Sequence, residues 1–194
     1  MLTRIAVLVS GGGTNLQALI DARRAGALPS GEIVLVISSR ADAYALERAK
    51  SAGIESAVCK TEDEILALIT EKKIDLIILA GYMSILSADF TARFPQRIIN
   101  IHPSLIPAFC GKGYYGLHVH EAALSYGVKV TGATVHYVNE IPDGGKIILQ
   151  KAVDVEPGDT PETLQQRVMR QAEWVILPRA AELCCAKIKK EREA

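Results

Sequence analysis

Apolar runs alternating with amphipathic stretches through the first half of the chain limit its architecture more than any other feature. Ile5–Val9, Ile33–Ile37 and Ile74–Leu79 are separated by segments of helical spacing, near Asn15–Arg24 and Asp42–Ser51, and from the capping box at Thr61–Glu64 to Lys73. Parallel strands need long crossover connections, so a strand, helix, strand order of this kind predicts a parallel sheet. The runs are apolar at consecutive positions, which predicts helices on both faces. Gly53 suits the position just past the second helix, Ala57-Val58 reads as a short strand, and Arg97–Ile101 supplies a further buried one.

The second half changes character. Val128–Val138 and Lys146–Val153 are strand-like runs around a loop containing Pro142, Asp143, Gly144 and Gly145, the pattern of a long hairpin. Thr160 then caps a helix with Pro161 at its first position and Leu164, Val168, Ala172, Val175 and Ile176 on one stripe. Pro178 is expected to kink or divide this helix, and the charged tail from Lys187 to Ala194 to fray. The expected fold is α/β, one domain over residues 1–194. A mostly parallel, twisted, Rossmann-like sheet in the N-terminal half is extended by an antiparallel hairpin and flanked by helices.

At 194 residues one well-buried core is the default. Lys plus Arg equal Asp plus Glu at 22 each, so no overall field favours nucleic acid or a membrane surface, and a small-molecule partner is expected. The four cysteines form no CxxC pair, which suits a reducing cytoplasm. No stretch is long and apolar enough to read as a membrane span or a secretory leader.

Chemistry is expected where Arg97–Ile101 ends. Asn100 and His102 lie two apart and so emerge on one face of a strand, and Pro103 keeps His102 extended. An amide donor beside a titratable ring at the carboxyl end of a strand suits attack on a carbonyl, and equally suits a buried polar pair closing the strand. Ser10–Asn15 (SGGGTN) directly follows the first strand and opens a helix, so its N–H groups suit an anion such as a phosphate. A tight βα turn would use the same glycines. It matches neither the GxGxxG nor the GK[ST] pattern, which disfavours NAD and ATP.

Asp143 reads either as an ordinary Asp-Gly turn residue or, if its loop folds over His102, as the carboxylate that raises the ring's pKa. His118 and His120 at a helix start are expected to be solvated rather than to bind a metal. His136 reads as a hydrogen-bonded structural histidine, Cys110 as a loop thiol and Trp174 as a packing residue, while Tyr114 and Tyr115 suit packing or stacking.

Four segments, Ser10–Gln17, Leu79–Met83, Asn100–Pro107 and Thr131–Val138, followed by Asp143–Gly145 and Ile147–Gln150, resemble the phosphoribosylglycinamide formyltransferase family. The resemblance runs along nearly the whole chain. It implies that 10-formyltetrahydrofolate, as co-substrate, donates its formyl group to the amine of phosphoribosylglycinamide in purine synthesis, with no metal. It also implies a nucleotide-binding half over residues 1–101 and a folate-binding, catalytic half over 102–194. The catalytic group then falls on Asn100, His102 and Asp143. The nucleotide site falls on Gly12, Gly13, Thr14, Asn15, Leu16 and Glu173, and the folate site on Met83, Ser84, Ile85, Leu86, Asn100, Asn139, Glu140, Ile141, Pro142 and Asp143.

This sequence departs from the family pattern in its longer loop Ala108–Gly116, in Ser84 where an arginine is common, and in lacking an arginine near Cys59–Asp63; Lys112 is the cation expected to compensate. The glycine loop disfavours formyltetrahydrofolate hydrolase, and the lack of an added RNA-binding domain or net positive charge disfavours methionyl-tRNA formyltransferase. A non-catalytic nucleotide-binding module is the alternative of a different class.

Overall fold

The computed structural model describes residues 1–193. In chain order the elements are β1 (Thr3–Val9), α1 (Thr14–Arg24), β2 (Gly31–Ser38), α2 (Tyr44–Ser51), β3 (Glu55–Val58), α3 (Glu62–Glu71), β4 (Leu76–Leu79), α4 (Ala88–Ala92) and β5 (Ile98–His102). They continue with α5 (Leu117–Tyr126), β6 (Val130–Tyr137), β7 (Ile147–Asp154), α6 (Pro161–Val168) and α7 (Trp174–Glu193). One sheet runs in the order β3-β2-β1-β4-β5-β6-β7. The first five strands are parallel, β6 is antiparallel to β5, and β7 to β6.

Residues alternate between two cores along each central strand, which explains why these strands lack a polar face. Ile5, Val7 and Val9 join a cluster with Leu16 and Leu19 of α1 and Leu177 and Ala181 of α7. Ala6 and Leu8 join Ile65 and Ile69 of α3 and Phe90 of α4 on the other face. Each fully buried aliphatic side chain stabilises the fold by roughly 1.5–3 kcal/mol before chain entropy is counted. Ile98 belongs to the second cluster and Ile99 to the first. By the same alternation Asn100 and His102 share the face of Ile98, on the last parallel strand.

The capping boxes at Thr61 and Thr160 form as expected, with Pro161 in the first turn of α6. Two C-terminal expectations are corrected. The irregularity in the last helical stretch is a turn of π-helix at Met169–Glu173, between α6 and α7, while Pro178 lies within continuous α7. Pro178 is the fifth residue of α7 and is buried, and without an N–H it donates no helical bond of its own. The tail is helical to Glu193 rather than irregular, with Ile188 buried and Lys187 donating to Gln96. Ala194 lies outside the described residues.

Candidate active site

The strand pairing places the polar residues. Asn100 on β5 lies directly opposite His136 on β6, and His102 opposite Thr134. The β6–β7 register shifts at Val135/His136, a bulge beside the site. His136 Nδ1 bonds the carbonyl of Tyr137 at 2.8 Å, so Nε2 is left to accept from the Asn100 amide at 3.2 Å. His136 is therefore a hydrogen-bonded residue that orients Asn100.

The hairpin loop folds back over this pair. Gly145 packs so tightly on the Tyr137 carbonyl that an added Cβ would stand 1.7 Å from the oxygen, so the turn needs glycine there. Asp143, in the left-handed region at φ 56°, is thereby aimed at four groups. Its Oδ1 accepts from Asn100 Nδ2 at 3.4 Å and faces His136 Nε2 at 3.5 Å. Its Oδ2 accepts from the Gly111 N–H at 2.8 Å and faces His102 Nδ1 at 3.6 Å. Asn100, His102 and Asp143, far apart in order, are thus brought together.

His102 is only 5% exposed. Burial pushes its pKa down, outweighing the nearby Asp143 carboxylate and the Phe109 carbonyl, which both push it up. The sequence-based expectation of a raised pKa is corrected: Asp143 acts in the expected direction, but desolvation of the charged ring is the larger effect. For Asp143 itself, burial acts upward but is outweighed by the neighbouring His136 and His102 rings and the bond from the Gly111 N–H, so its carboxyl titrates below the ordinary range.

These three residues line a cavity of about 580 Å³. Met83, Ser84, Ile85 and Leu86 form one wall, Asn139, Glu140, Ile141 and Pro142 another, and the loop from Gly111 to Gly116, including Lys112, a third. Met83, Ile85 and Ile141 are more than half exposed at its rim, the apolar edge expected around a flat ring ligand.

The glycine loop lies at the amino end of α1, and no side chain caps its first turn. Gly13 has φ 70°, and a Cβ there would stand 2.6 Å from that of Ala45, so helix α2 can approach only a glycine. Arg48 of α2 donates to the Gly12 carbonyl at 2.8 Å and to Gln17 at 3.0 Å. Leu16 is buried in the first core, leaving only its backbone to face a ligand. Asn15 Nδ2 donates to Glu173 Oε2 at 2.7 Å, which joins the loop to the π-turn. Burial pushes Glu173 up, partly opposed by Asn15, whose Oδ1 is buried without a partner. Ser10 links this loop to the cavity wall: its Oγ bonds Ser39 Oγ at 2.7 Å and accepts from the Met83 N–H at 2.9 Å.

Two other histidines part company. His118 is exposed and bonded to Glu121, but His120 is fully buried with neither ring nitrogen bonded, contrary to the expectation of solvation. α5 packs inward along Val119, His120 and Ala123, and burial pushes His120 down to about 4. Sequence reasoning also missed the backbone contacts of Phe109 and Gly111 and the role of Arg48. Only the glycines around the former and the helical spacing around the latter hinted at them.

The formyl transferase family profile matches residues 3–181. A phosphoribosylglycinamide formyltransferase of Haemophilus influenzae is 45% identical over 91% of this chain and 84% of its own length. The crystal structure of glycinamide ribonucleotide transformylase 1 from Symbiobacterium toebii superposes with a TM-score of 0.88 at 42% identity, covering 96% of this chain and 89% of that one. A formyltetrahydrofolate deformylase from Pseudomonas syringae superposes at 0.85 with 26% identity, covering 96% of this chain and 62% of the deformylase.

Proposed function

The chain belongs to the formyl transferase family, and on that basis we propose that it transfers the formyl group of 10-formyltetrahydrofolate to the amine of phosphoribosylglycinamide. It is a formyltransferase enzyme of purine biosynthesis. The observation that carries the reading is the link through Ser10 between an uncapped glycine loop with Asn15 and Glu173 and an apolar-rimmed cavity holding Asn100, His102 and Asp143.

In this reading Gly12 to Leu16 hold the phosphate through backbone N–H groups, and Glu173 accepts from the ribose or the amine. The folate ring enters between the 83–86 and 139–143 walls. The amine attacks the formyl carbon, forming a C–N bond, and the carbonyl electron pair moves to oxygen. Asn100 and His102 stabilise that oxyanion. The C–N10 bond then breaks, the attacking nitrogen loses one proton and N10 gains one. A ring that holds its proton loosely gives it up readily, so burial of His102 suits the second half of the reaction, while Asp143 keeps the charged form accessible. No helix among the described residues is long and apolar enough to cross a membrane, and the reading assigns the enzyme to the cytoplasm, acting on small molecules without nucleic acid.

The test is to mix the protein with 10-formyl-5,8-dideazafolate, with and without the ribonucleotide, and to follow absorbance. Release that depends on the nucleotide is expected. Release independent of it would instead mark a hydrolase, and no release a binding module.

A further inference from the structure

The loop between β5 and α5 contacts both members of the His102–Asp143 pair, through backbone atoms only. The Phe109 carbonyl is 2.9 Å from His102 Nε2, and the Gly111 N–H donates to Asp143 Oδ2 at 2.8 Å. A carbonyl accepts but cannot donate, so the nitrogen facing Phe109 must carry a hydrogen. The other nitrogen, Nδ1, faces the carboxylate at 3.6 Å. His102, Asp143 and Gly111 line the cavity, whereas Phe109 does not, so the Nε2 edge looks away from the ligand space.

Phe109 reaches this arrangement at φ 49°, a left-handed conformation that bulky residues adopt only under constraint. The constraint is visible: its ring meets Tyr114 and Tyr126 edge-on at 6.3 and 6.0 Å between centroids. Strain at a residue whose carbonyl touches the site's histidine marks it as part of the site.

We propose that the Phe109 carbonyl is the positioning group that fixes a proton on Nε2 of His102, leaving Nδ1, beside Asp143, as the nitrogen that exchanges a proton with the substrates. The inference rests on the reading of His102 as the acid of the formyl transfer. The balance is simple: Nδ1 gives one proton to N10 and recovers one from the attacking amine, while Nε2–H stays with Phe109 throughout.

Two variants isolate the backbone from the side chain. Phe109→Gly and Phe109→Val both lose the ring, but only glycine tolerates the left-handed conformation. The ¹⁵N spectrum of histidine-labelled free protein, above the pH at which His102 titrates, is expected to show Nε2 protonated and Nδ1 bare in the parent and in Phe109→Gly. Phe109→Val should show a mixture of tautomers and a kcat lower by about tenfold or more, with both KM values within about twofold of the parent. If Phe109→Val does not fold, Phe109→Ala takes its place, with a smaller change in the same direction.

A parent ring protonated on Nδ1 would overturn the proposal. So would equal losses in the glycine and valine variants, which would assign the effect to aromatic packing, or unchanged tautomers in both. The spectrum is read without substrate, so it stands apart from the formyl-release test: a parent that releases no formyl group in the presence of nucleotide sinks the transferase reading instead.

Discussion

Asn15, in the first turn of α1, donates a 2.7 Å hydrogen bond to Glu173, 158 positions later, at the end of the π-turn. The carboxylate is buried and the amide is its bonded partner, so neither residue can change alone without leaving a polar group unsatisfied. Asn15→Ala is expected to destabilise the fold by about 1–3 kcal/mol at neutral pH. Burial raises the Glu173 pKa, so the protonated form is the one the fold tolerates. The loss should therefore shrink as pH falls, which urea midpoints at neutral and acidic pH would show. A loss that grows in acid would contradict it.

Asp143→Asn removes the carboxylate that opposes burial at His102. The limb of the kcat profile on which His102 titrates should move to lower pH, and turnover should fall by about 10²–10⁴-fold with smaller changes in KM. An unmoved profile with full turnover would take Asp143 out of the scheme.

Gly13→Ala combines a left-handed backbone with a Cβ placed 2.6 Å from Ala45. A cost of about 1–3 kcal/mol is expected from strain and overpacking, together with a raised KM for the nucleotide as the loop shifts. Thermal unfolding and steady-state kinetics check the two parts separately. Unchanged values in both would mean that α2 yields without disturbing the loop.

His120 is buried and neutral in the folded state, with its pKa pushed from 6.5 to about 4, mainly by burial. Below 6.5 the unfolded chain takes up a proton that the folded one refuses. Stability is therefore fully present above that pH and falls as pH drops towards 4, by an amount of order 3 kcal/mol. His120→Leu should flatten that part of a stability-against-pH curve recorded by urea unfolding. An equally steep curve in the variant would assign the acid sensitivity to other groups.

Lys112 lines the cavity on the Ala108–Gly116 loop, and it makes no ion pair among the described residues. Lys112→Ala is expected to raise KM for a glutamate-bearing folate roughly two- to fivefold, the worth of an exposed ion pair of up to about 1 kcal/mol. The rise should be absent with a folate analogue lacking the glutamate. Unchanged Michaelis constants for both substrates would show that Lys112 does not pair with the tail.

The alternation of apolar runs with helical spacing was enough to determine the parallel sheet, because burial on two faces leaves a period that local sequence records directly. The glycine loop and the Asn100–His102 pair were equally legible, since a proline and a period of two set their geometry within a few residues. Tertiary structure alone decided the rest. The strand register put His136 opposite Asn100, the packing of α5 buried His120, and the left-handed turn at Phe109 brought a carbonyl to His102. It also decided the sign of the His102 shift. Desolvation depends on everything that surrounds a group, and residues distant in the chain supply most of those surroundings.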